Sequence, residues 1–311
     1  MPGGKEMSII RSTVHFIVKW TPLMKIVRLF LRPFIHRRGI WRVAYRLPLV
    51  GKQKVSLPDG EELLLETDRT DDIYKVLFWK GFEGFEKETV DLFMDLSKGS
   101  KVIFDIGANT GYYSLIAAKV NPDSRIIGFE PLPAALSAFK RNVEINKINN
   151  IWTEPKAASN IEGKLTLYVP EGDIPTSSSL IKGFREASRE LEVEAVTLDK
   201  YCGRKKIEKV DLVKMDTESS EHLVLQGMER MMKEHHPLII CEVLGGEAMK
   251  WHQENLPKYG YNIYQISKKG LVSIKILKEG QRDKNYLFVV KQDLPKIKKY
   301  LSDVNSLNIN S

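Results

Sequence analysis

The chain has 311 residues, a formal net charge of +8, 42% hydrophobic residues and 28% charged residues. This length suffices for one large α/β domain with an appendage, and the composition is ordinary for a globular protein. The two cysteines, Cys202 and Cys241, are far apart and lack metal-ligand spacing, which argues against a disulfide framework and favours a reducing, cytoplasmic compartment.

Residues 1–54 form a basic amphipathic segment, with no acid between Met7 and Pro58. Its cations alternate with aromatic and aliphatic side chains, a composition typical of a helical extension at a membrane interface. We therefore expect contact with the membrane surface through residues 7–54, as a peripheral protein at the inner membrane. Recurrent charges, together with Pro22 and Pro33, argue against a transmembrane helix and against a secretory signal peptide. The cations are Arg11, Lys19, Lys25, Arg28, Arg32, Arg37, Arg38, Arg42, Arg46, Lys52 and Lys54.

Three other interpretations of this segment stay open. It could form a helical cap on the main domain, a subunit interface or a nucleic-acid patch. Nucleic acid is unlikely on this reading, because no nucleic-acid-binding motif accompanies the charge.

The rest of the chain divides into a lead-in (55–100), a main domain (101–295) and a polar tail (296–311). In the main domain strands alternate with helices, which predicts a mostly parallel, Rossmann-like α/β sheet with helices on both faces. A Ser-rich stretch at 176–180 and a charged run at 182–194 predict a mobile surface insertion. The predicted strands are 63–66, 102–106, 126–130, 151–156, 165–169, 193–198, 210–215, 238–243, 261–266 and 286–290.

A glycine-bearing turn follows the first strand of the main domain. Gly107 and Gly111 permit positive φ angles, and the helix that follows presents free N–H groups to an anion. Glu130 ends the next strand, where an acid meets ribose hydroxyls in doubly wound nucleotide-binding folds. The segment therefore predicts a nucleoside cofactor.

The dinucleotide fingerprint needs a glycine where this chain has Asn109, and the sequence contains no phosphate-binding G-x-x-x-x-G-K-[ST] motif. A cofactor with a ribose and no phosphate fits better, and S-adenosylmethionine is the common one. We expect its carboxylate beside the N–H groups of the turn, its ammonium near Asp105 and both ribose hydroxyls on Glu130. An NAD(P)-dependent dehydrogenase and a non-catalytic, membrane-associated cofactor-binding protein remain alternatives.

Acids follow the strand that ends at Met215. Because acceptor chemistry occurs at the carboxyl ends of parallel strands, Asp216, Glu218 and Glu221 are the candidate catalytic residues. Alternatively, they only favour the positive end of the next helix. In that helix we expect Glu221 on the buried face and His222 pointing to water. We predict no metal site, although these acids could also hold a divalent ion.

Several of these motifs, in order, resemble the FkbM family of S-adenosylmethionine-dependent methyltransferases. The resemblance runs from about Glu66 to Val243 and implies a class I methyltransferase sheet whose closing strands form an antiparallel edge. It also implies O-methylation of a hydroxyl in a sugar, glycolipid, polyketide or related small molecule, so the expected partner is a small-molecule or glycan acceptor. The matching motifs are 79–86, Asp105-Ile-Gly-Ala-Asn-Thr-Gly-Tyr-Tyr-Ser114, Gly128-Phe-Glu-Pro131, Val196-Thr-Leu-Asp199, 211–221 and Val224-Leu-Gln-Gly227.

The resemblance supports the cofactor contacts and adds the turn at 157–160, near the adenine. The mechanism we expect is in-line displacement at the methyl group, with Asp216 orienting or deprotonating the acceptor. The family usually has a glycine where this chain has Ser219; if that position needs positive φ, the serine is strained there. The predicted cofactor-binding residues are Asp105, Gly107, Ala108, Asn109, Thr110, Gly111, Glu130, Pro131, Ala158 and Asn160.

Overall fold

A computed structural model describes residues 21–47, 49–69, 71–186, 189–281 and 284–302. The predictions made for residues 1–20 of the basic segment and 303–311 of the polar tail lie outside the described residues.

Thirteen strands and eleven α-helices are formed within these described ranges. The strands are β1 (Gly51–Ser56), β2 (Glu62–Thr67), β3 (Val102–Ile106), β4 (Arg125–Phe129), β5 (Ile151–Glu154), β6 (Ala157–Ala158), β7 (Gly163–Val169), β8 (Arg189–Val196), β9 (Leu212–Met215), β10 (Leu238–Glu242), β11 (Tyr261–Ser267), β12 (Gly270–Ile274) and β13 (Asn285–Val290). The helices are α1 (Thr21–Leu31), α2 (Arg38–Arg46), α3 (Asp72–Lys80), α4 (Lys87–Ser97), α5 (Tyr112–Val120), α6 (Pro133–Ile145), α7 (Leu198–Lys205), α8 (Glu221–Gln226), α9 (Glu229–Glu234), α10 (Gly246–Asn255) and α11 (Leu294–Ile297).

The main sheet has eight strands in the order β12-β11-β13-β10-β9-β3-β4-β5. Strands β10, β9, β3, β4 and β5 are parallel neighbours, whereas β13 lies antiparallel between β10 and β11. This order is the class I methyltransferase topology, and the antiparallel edge is confirmed. Strands β1, β6 and β12 were not predicted, and the first two residues of the turn predicted at 157–160 form β6.

The central strands are buried on both faces. Along β3, Ile103 packs in one hydrophobic cluster with residues of α4 and α5, and the next residue, Phe104, packs in a second cluster with residues of α7, α8 and α9. Because successive side chains point to opposite faces, a strand covered on both sides needs apolar residues at consecutive positions. Burial on both faces therefore explains why these strands are continuous apolar runs in the sequence.

The topology places the ends of β3 and β9 side by side. From β3 the chain proceeds through β4 and β5 in one direction, and β9 and β10 extend the sheet in the other. Ile106 pairs with Met215, and the Asp216 amide donates to the Ile106 carbonyl at 3.0 Å. A crevice at such a switch point is where ligands bind in open α/β sheets.

The predicted mobile insertion is partly ordered structure. From residue 189 onward the charged run forms β8, which pairs antiparallel with β7, and in it Val193 and Ala195 are buried between exposed glutamates. The Ser-rich stretch is also bonded to the sheet, since Ser179 and Tyr168 exchange two backbone hydrogen bonds. Charge at alternate positions is compatible with a half-buried strand, and the expectation of mobility stays a prediction.

The single helix predicted after Asp216 is two short helices, α8 and α9. The helix is interrupted near Gly227, where a Cβ would lie 2.0 Å from the Ser159 carbonyl oxygen. His222, predicted to point to water, is buried with 4% exposure because α10 packs against α8. That covering helix is distant in sequence, so the local periodicity did not show it.

The described part of the basic segment is an arm of two helices, α1 and α2. Its inner side packs on the domain: Met24 and Ala44 join the main core, and Lys80 lies over the Trp41 ring at 3.9 Å. Five large apolar side chains of the arm and its connecting turn are 44–73% exposed. These are Ile26, Leu29, Phe30, Phe34 and Val43. Among the described residues, none of the helices is both long and apolar enough to traverse a bilayer.

The described beginning of the polar tail packs on the domain. Ile297 is fully buried, and the Tyr300 hydroxyl donates to Asp95 Oδ2 at 2.5 Å. Leu301 forms a bridge with Leu271. Residues 296–302 are thus part of the folded domain.

Candidate active site

The turn between β3 and α5 has the backbone that its glycines predicted. Gly107 and Gly111 have φ values of +76° and +86°, and Asn109 is left-handed as well, at +51°. A Cβ on Gly107 would lie 2.0 Å from the Asp216 carbonyl oxygen. Glycine at position 107 is therefore required both by its φ and by the close approach of the turn to the end of β9.

The five amide groups of residues 107–111 all donate hydrogen bonds within the protein. Two share the Phe129 carbonyl, and that of Asn109 donates to Glu130 Oε2 at 2.8 Å. Side chains and neighbouring carbonyls thus already satisfy these groups, and the expectation that they bind the cofactor's carboxylate stays a prediction.

Glu130 is buried at the end of β4, with 6% exposure. Its two carboxylate oxygens accept the amides of Asn109 and Leu132, the latter at 2.7 Å. Burial raises its pKa to about 7, although these two hydrogen bonds act in the opposite direction. Each oxygen keeps another lone pair, so the carboxylate can still accept ligand hydroxyls.

A cavity, the nucleoside cavity, opens beside Glu130. One end presents polar groups and the opposite walls are largely apolar, which suits a ribose next to a base. Its residues beside Glu130 include Pro131, Leu132, Ala157, Ala158, Leu167, Pro175, Thr176 and Leu180.

A second cavity, the acidic cavity, adjoins the first. It contains five carboxylates and one ammonium group beside an aromatic wall. The carboxylates belong to Glu86, Asp105, Asp216, Glu218 and Glu242, the ammonium to Lys214, and the rings to Phe85, Tyr112 and Tyr113. Both cavities share Gly107, Asn109, Thr176, Asp216 and Glu218.

Asp105 fixes the start of α5 from inside the acidic cavity. Its Oδ2 accepts the Ser114 amide at 3.0 Å and the Ser114 hydroxyl at 2.6 Å. Burial raises the pKa of Asp105 to about 6, against the effect of Ser114 and Lys214.

Asp216 and Lys214 form a buried ion pair at the junction of the cavities. Lys214 Nζ lies 3.7 Å from Asp216 Oδ2 and 4.9 Å from the centre of the Tyr113 ring. Burial raises the pKa of Asp216 and the Lys214 ammonium lowers it, with burial the larger cause. For Lys214, burial by itself would lower the pKa, but Asp216, Glu86 and Asp105 together raise it. Asp216 Oδ1 is buried and has no hydrogen-bond partner among the described residues.

Glu218 and Glu221 have different positions. Glu218 lines both cavities, and its pKa is raised by burial and by Asp216. Glu221 lines neither cavity: it is fully buried, and its Oε1 accepts the amides of Thr217 at 2.8 Å and Ser219 at 3.2 Å. It therefore holds the turn that carries Asp216, and its predicted catalytic role stays a prediction.

Comparison with known proteins agrees with this geometry. Residues 105–263, about half of the chain, match the family described as the methyltransferase FkbM domain. The chain belongs to this family. The FkbM domain is thus a methyltransferase domain, and its cofactor is S-adenosylmethionine.

Two curated relatives and one solved structure illustrate the likeness. "Methyltransferase 1" of Beauveria bassiana is 28% identical over 156 residues, 44% of this chain and 61% of that protein. "2-O-methyltransferase NoeI" of Sinorhizobium fredii is 26% identical over 164 residues, 47% of this chain and 67% of that protein. A crystal structure titled methyltransferase FkbM from Methylobacillus flagellatus is 17% identical with a TM-score of 0.40, over 61% of this chain and 43% of that one. The chain thus spans about three fifths of the length of the fungal relative it matches.

The residues of the FkbM domain fit this cofactor. Its sulfonium and ammonium groups are cationic, and the acidic cavity offers an excess of carboxylates. The same carboxylates would repel a diphosphate. The dehydrogenase alternative is therefore wrong, on the family match and on charge.

Most of the predicted cofactor residues line one of the two cavities. Three do not: the Thr110 carbonyl accepts Asn142, Gly111 packs on the Phe139 ring, and Asn160 donates to Gln226. The cavity-lining ones are Asp105, Gly107, Ala108, Asn109, Glu130, Pro131 and Ala158.

Sequence reasoning missed Glu86, Lys214 and Glu242 as site residues. Glu242 ends β10, the neighbour of β9, so the rule that ligands bind at the carboxyl ends of strands could have found it. Lys214 was hidden because a lysine inside a strand is usually taken as exposed.

The acids also have the spacing of a cation site. Asp216, Glu218 and Glu242 each offer an oxygen, and these oxygens all lie within 4.8 Å of one another. The Lys214 ammonium already supplies positive charge beside them. The prediction that the FkbM domain has no metal site stays a prediction.

Proposed function

We propose that this chain transfers the methyl group of S-adenosylmethionine to a hydroxyl oxygen of a sugar, glycolipid or related small molecule. The observation that carries the proposal is Asp216, whose Oδ1 is buried, unpartnered within the described residues and at the junction of the two cavities. The name of the NoeI relative, a 2-O-methyltransferase, supports an oxygen acceptor.

The chemistry assigns a task to each group of the junction. S-adenosylmethionine, when bound, supplies a methyl carbon on a sulfonium sulfur, so that the leaving group is neutral. Asp216 accepts a hydrogen bond from the acceptor hydroxyl at Oδ1, orients its oxygen and takes its proton. Lys214, 3.7 Å from Oδ2, stabilises the ionised form of Asp216 that this task requires. Glu218, which lines both cavities beside Asp216, assists Asp216 in this role.

The test is Asp216→Asn. We expect kcat to fall by about 100-fold or more, because general base catalysis typically contributes 10²–10⁴-fold. Cofactor affinity, measured by calorimetry, should stay within a few-fold. Glu254→Gln, an exposed acid on α10, is the control and should have the wild-type rate. Unchanged turnover in Asp216→Asn would refute the role of Asp216.

The alternative is a non-catalytic cofactor-binding protein. This interpretation is based on Ser219, which stands where the family usually has a glycine. Mass spectrometry of glycans and lipid extracts, incubated with S-adenosylmethionine and the chain, separates the two. A mass gain of one methyl group on a hydroxyl supports the enzyme. Cofactor binding with no methylated product in any extract would contradict it.

We also infer that the arm contacts an anionic membrane surface. Its inner side packs on the domain, and its outer side exposes five large apolar side chains. It carries cations and no acid, so a negatively charged lipid surface is complementary to it. The arm is thus both a cap on the domain and a docking surface.

Flotation with phosphatidylglycerol vesicles tests this contact. The full chain should float with these vesicles and not with phosphatidylcholine vesicles. The double variant Leu29→Glu, Phe30→Glu should stay at the bottom. Ile276→Glu changes an exposed apolar residue outside the arm and should float like the wild type. Equal flotation of both variants would exclude the arm as the contact.

A further inference from the structure

The acidic cavity has its own route to the surface. Glu86 and Glu242 line this cavity but not the nucleoside cavity, and both also line an open groove with Ile266 and Asn285. An acceptor in this groove would lie against Glu86 and Glu242, on the side of α4 and β13 and away from the nucleoside cavity.

Glu86 is held in a fixed orientation at the inner end of this groove. Its Oε2 accepts the Tyr113 hydroxyl at 2.6 Å, and its Oε1 accepts Asn285 Nδ2 at 3.1 Å. Its backbone is left-handed, with φ +44°. Such a conformation is unfavourable for a glutamate and persists only where the surroundings impose it. The carboxylate is thus a rigid part of the wall.

Tyr112 supplies evidence for a polar ligand that is independent of the acids. Its side chain is 1% exposed and lines the acidic cavity, and its hydroxyl has no hydrogen-bond partner in the described parts of the chain. A buried hydroxyl without a partner destabilises the folded protein. A hydroxylated ligand in the cavity would remove this cost.

The charge of the cavity limits what this ligand can be. Five acids and one ammonium line this cavity, and the groove outside adds one further ammonium, that of Lys284, so acidic groups remain in excess. Burial, together with Asp216 and Glu218, raises the pKa of Glu242 to about 9, so this group is mostly protonated near neutral pH and a further negative charge beside it is unfavourable. Neutral hydroxyls can donate to these carboxylates, and the rings of Phe85 and Tyr112 offer an apolar surface to a sugar ring.

We infer that the side of the acidic cavity formed by Glu86 and Glu242 is the acceptor subsite, and that these two acids make it selective against acceptors with an anionic group near the reacting hydroxyl. This inference rests on the proposed methyl transfer and adds the specificity of the same site. It assigns Glu86 and Glu242 to substrate selection and Tyr112 to binding of a neutral hydroxyl.

A matched pair of probes tests the selectivity: methyl glucopyranoside and the corresponding methyl glucuronoside, which differ by a carboxylate. Binding to the full chain saturated with S-adenosylhomocysteine is measured by ligand-observed NMR. The neutral glycoside should bind at least about tenfold more tightly, because like charges placed together are strongly unfavourable. Glu86→Gln should reduce this ratio to about threefold, because it removes a repelling charge. Glu242→Gln should reduce it less near neutral pH, because burial raises the pKa of Glu242 to about 9 and its carboxyl is mostly protonated there. Tyr112→Phe should weaken both probes alike.

Glu83→Gln is the control, since Glu83 is an exposed acid of the same lead-in that pairs with Lys87 outside the cavity. It should keep the wild-type ratio. Equal or tighter binding of the glucuronoside, binding of neither probe, or an unchanged ratio in both glutamate variants would overturn the inference. Methyl transfer to hydroxyl compounds of extracts, followed separately, would then still support the proposed function. Charge-selective binding without any transfer would instead refute the proposed function alone.

Discussion

Ser219 and Glu218 adopt left-handed backbone conformations in the turn that carries Asp216. Their φ values are +74° and +53°. We predicted strain at Ser219 if its position requires a positive φ, and in the structure its φ is positive. The turn is held by Glu221, whose Oε1 accepts the Ser219 amide, so a buried hydrogen bond offsets part of the strain. Ser219 is therefore compatible with an intact turn, and its presence does not indicate a site that has lost its structure.

Ser219→Gly should raise the free energy of unfolding by about 0.5–1 kcal/mol, because glycine adopts positive φ without steric cost. Urea unfolding measures the change. Ser220→Gly is the contrast: Ser220 has φ −102° and its hydroxyl donates to the Thr217 carbonyl at 2.8 Å. It should be destabilised by about 1 kcal/mol. Stabilisation by both substitutions would mean that strain at Ser219 is not the cause.

The elements around the site were predictable where one short segment contained the whole signal. The apolar runs of β3, β9 and β10 and the glycines of the turn after β3 were of this kind. The break between α8 and α9 was not, because it depends on a contact between Gly227 and Ser159, which are distant in sequence. The alternation in β8 was present in the sequence but was obscured by its exposed charges.

Gly227→Ala tests that contact. A Cβ at this position would lie 2.0 Å from the Ser159 backbone oxygen, so we expect a loss of about 1–3 kcal/mol, typical of overpacking. Gly203→Ala is the matched control inside α7, where no atom lies within 4 Å of the added Cβ. It should be neutral or stabilised by up to about 1 kcal/mol. Thermal unfolding of both variants gives the comparison, and equal stabilities would contradict it.

In the molecule as a whole, buried carboxylates lie together at the carboxyl ends of the parallel strands. Burial raises the pKa of Asp105 to about 6 and that of Glu130 and Glu221 to about 7. Because these folded-state values lie above those of the unfolded chain, roughly 4, the folded state binds more protons between them. Their contribution to stability is complete below pH ~4 and is lost as pH rises through about 6–7.

The chain without ligands should therefore have a lower free energy of unfolding at pH 8.5 than at pH 6, as measured in urea. Glu221→Gln removes one of these acids outside both cavities, so its stability should fall less over this range. Its turnover should stay within a few-fold of wild type, since Glu221 supports the turn and does not line a cavity. An unchanged pH dependence would show that Glu221 does not titrate in this window.

By itself the sequence determined the sheet, the turn that approaches the cofactor, Glu130 and Asp216, because strand, turn and acid follow one another in single short segments. Only the tertiary structure decided that Glu86, Lys214 and Glu242 share a cavity with Asp216, that Glu221 does not, and that the amides of the turn are already satisfied. Burial and charge pairing arise from segments far apart in the chain, and no local pattern specifies which of them meet.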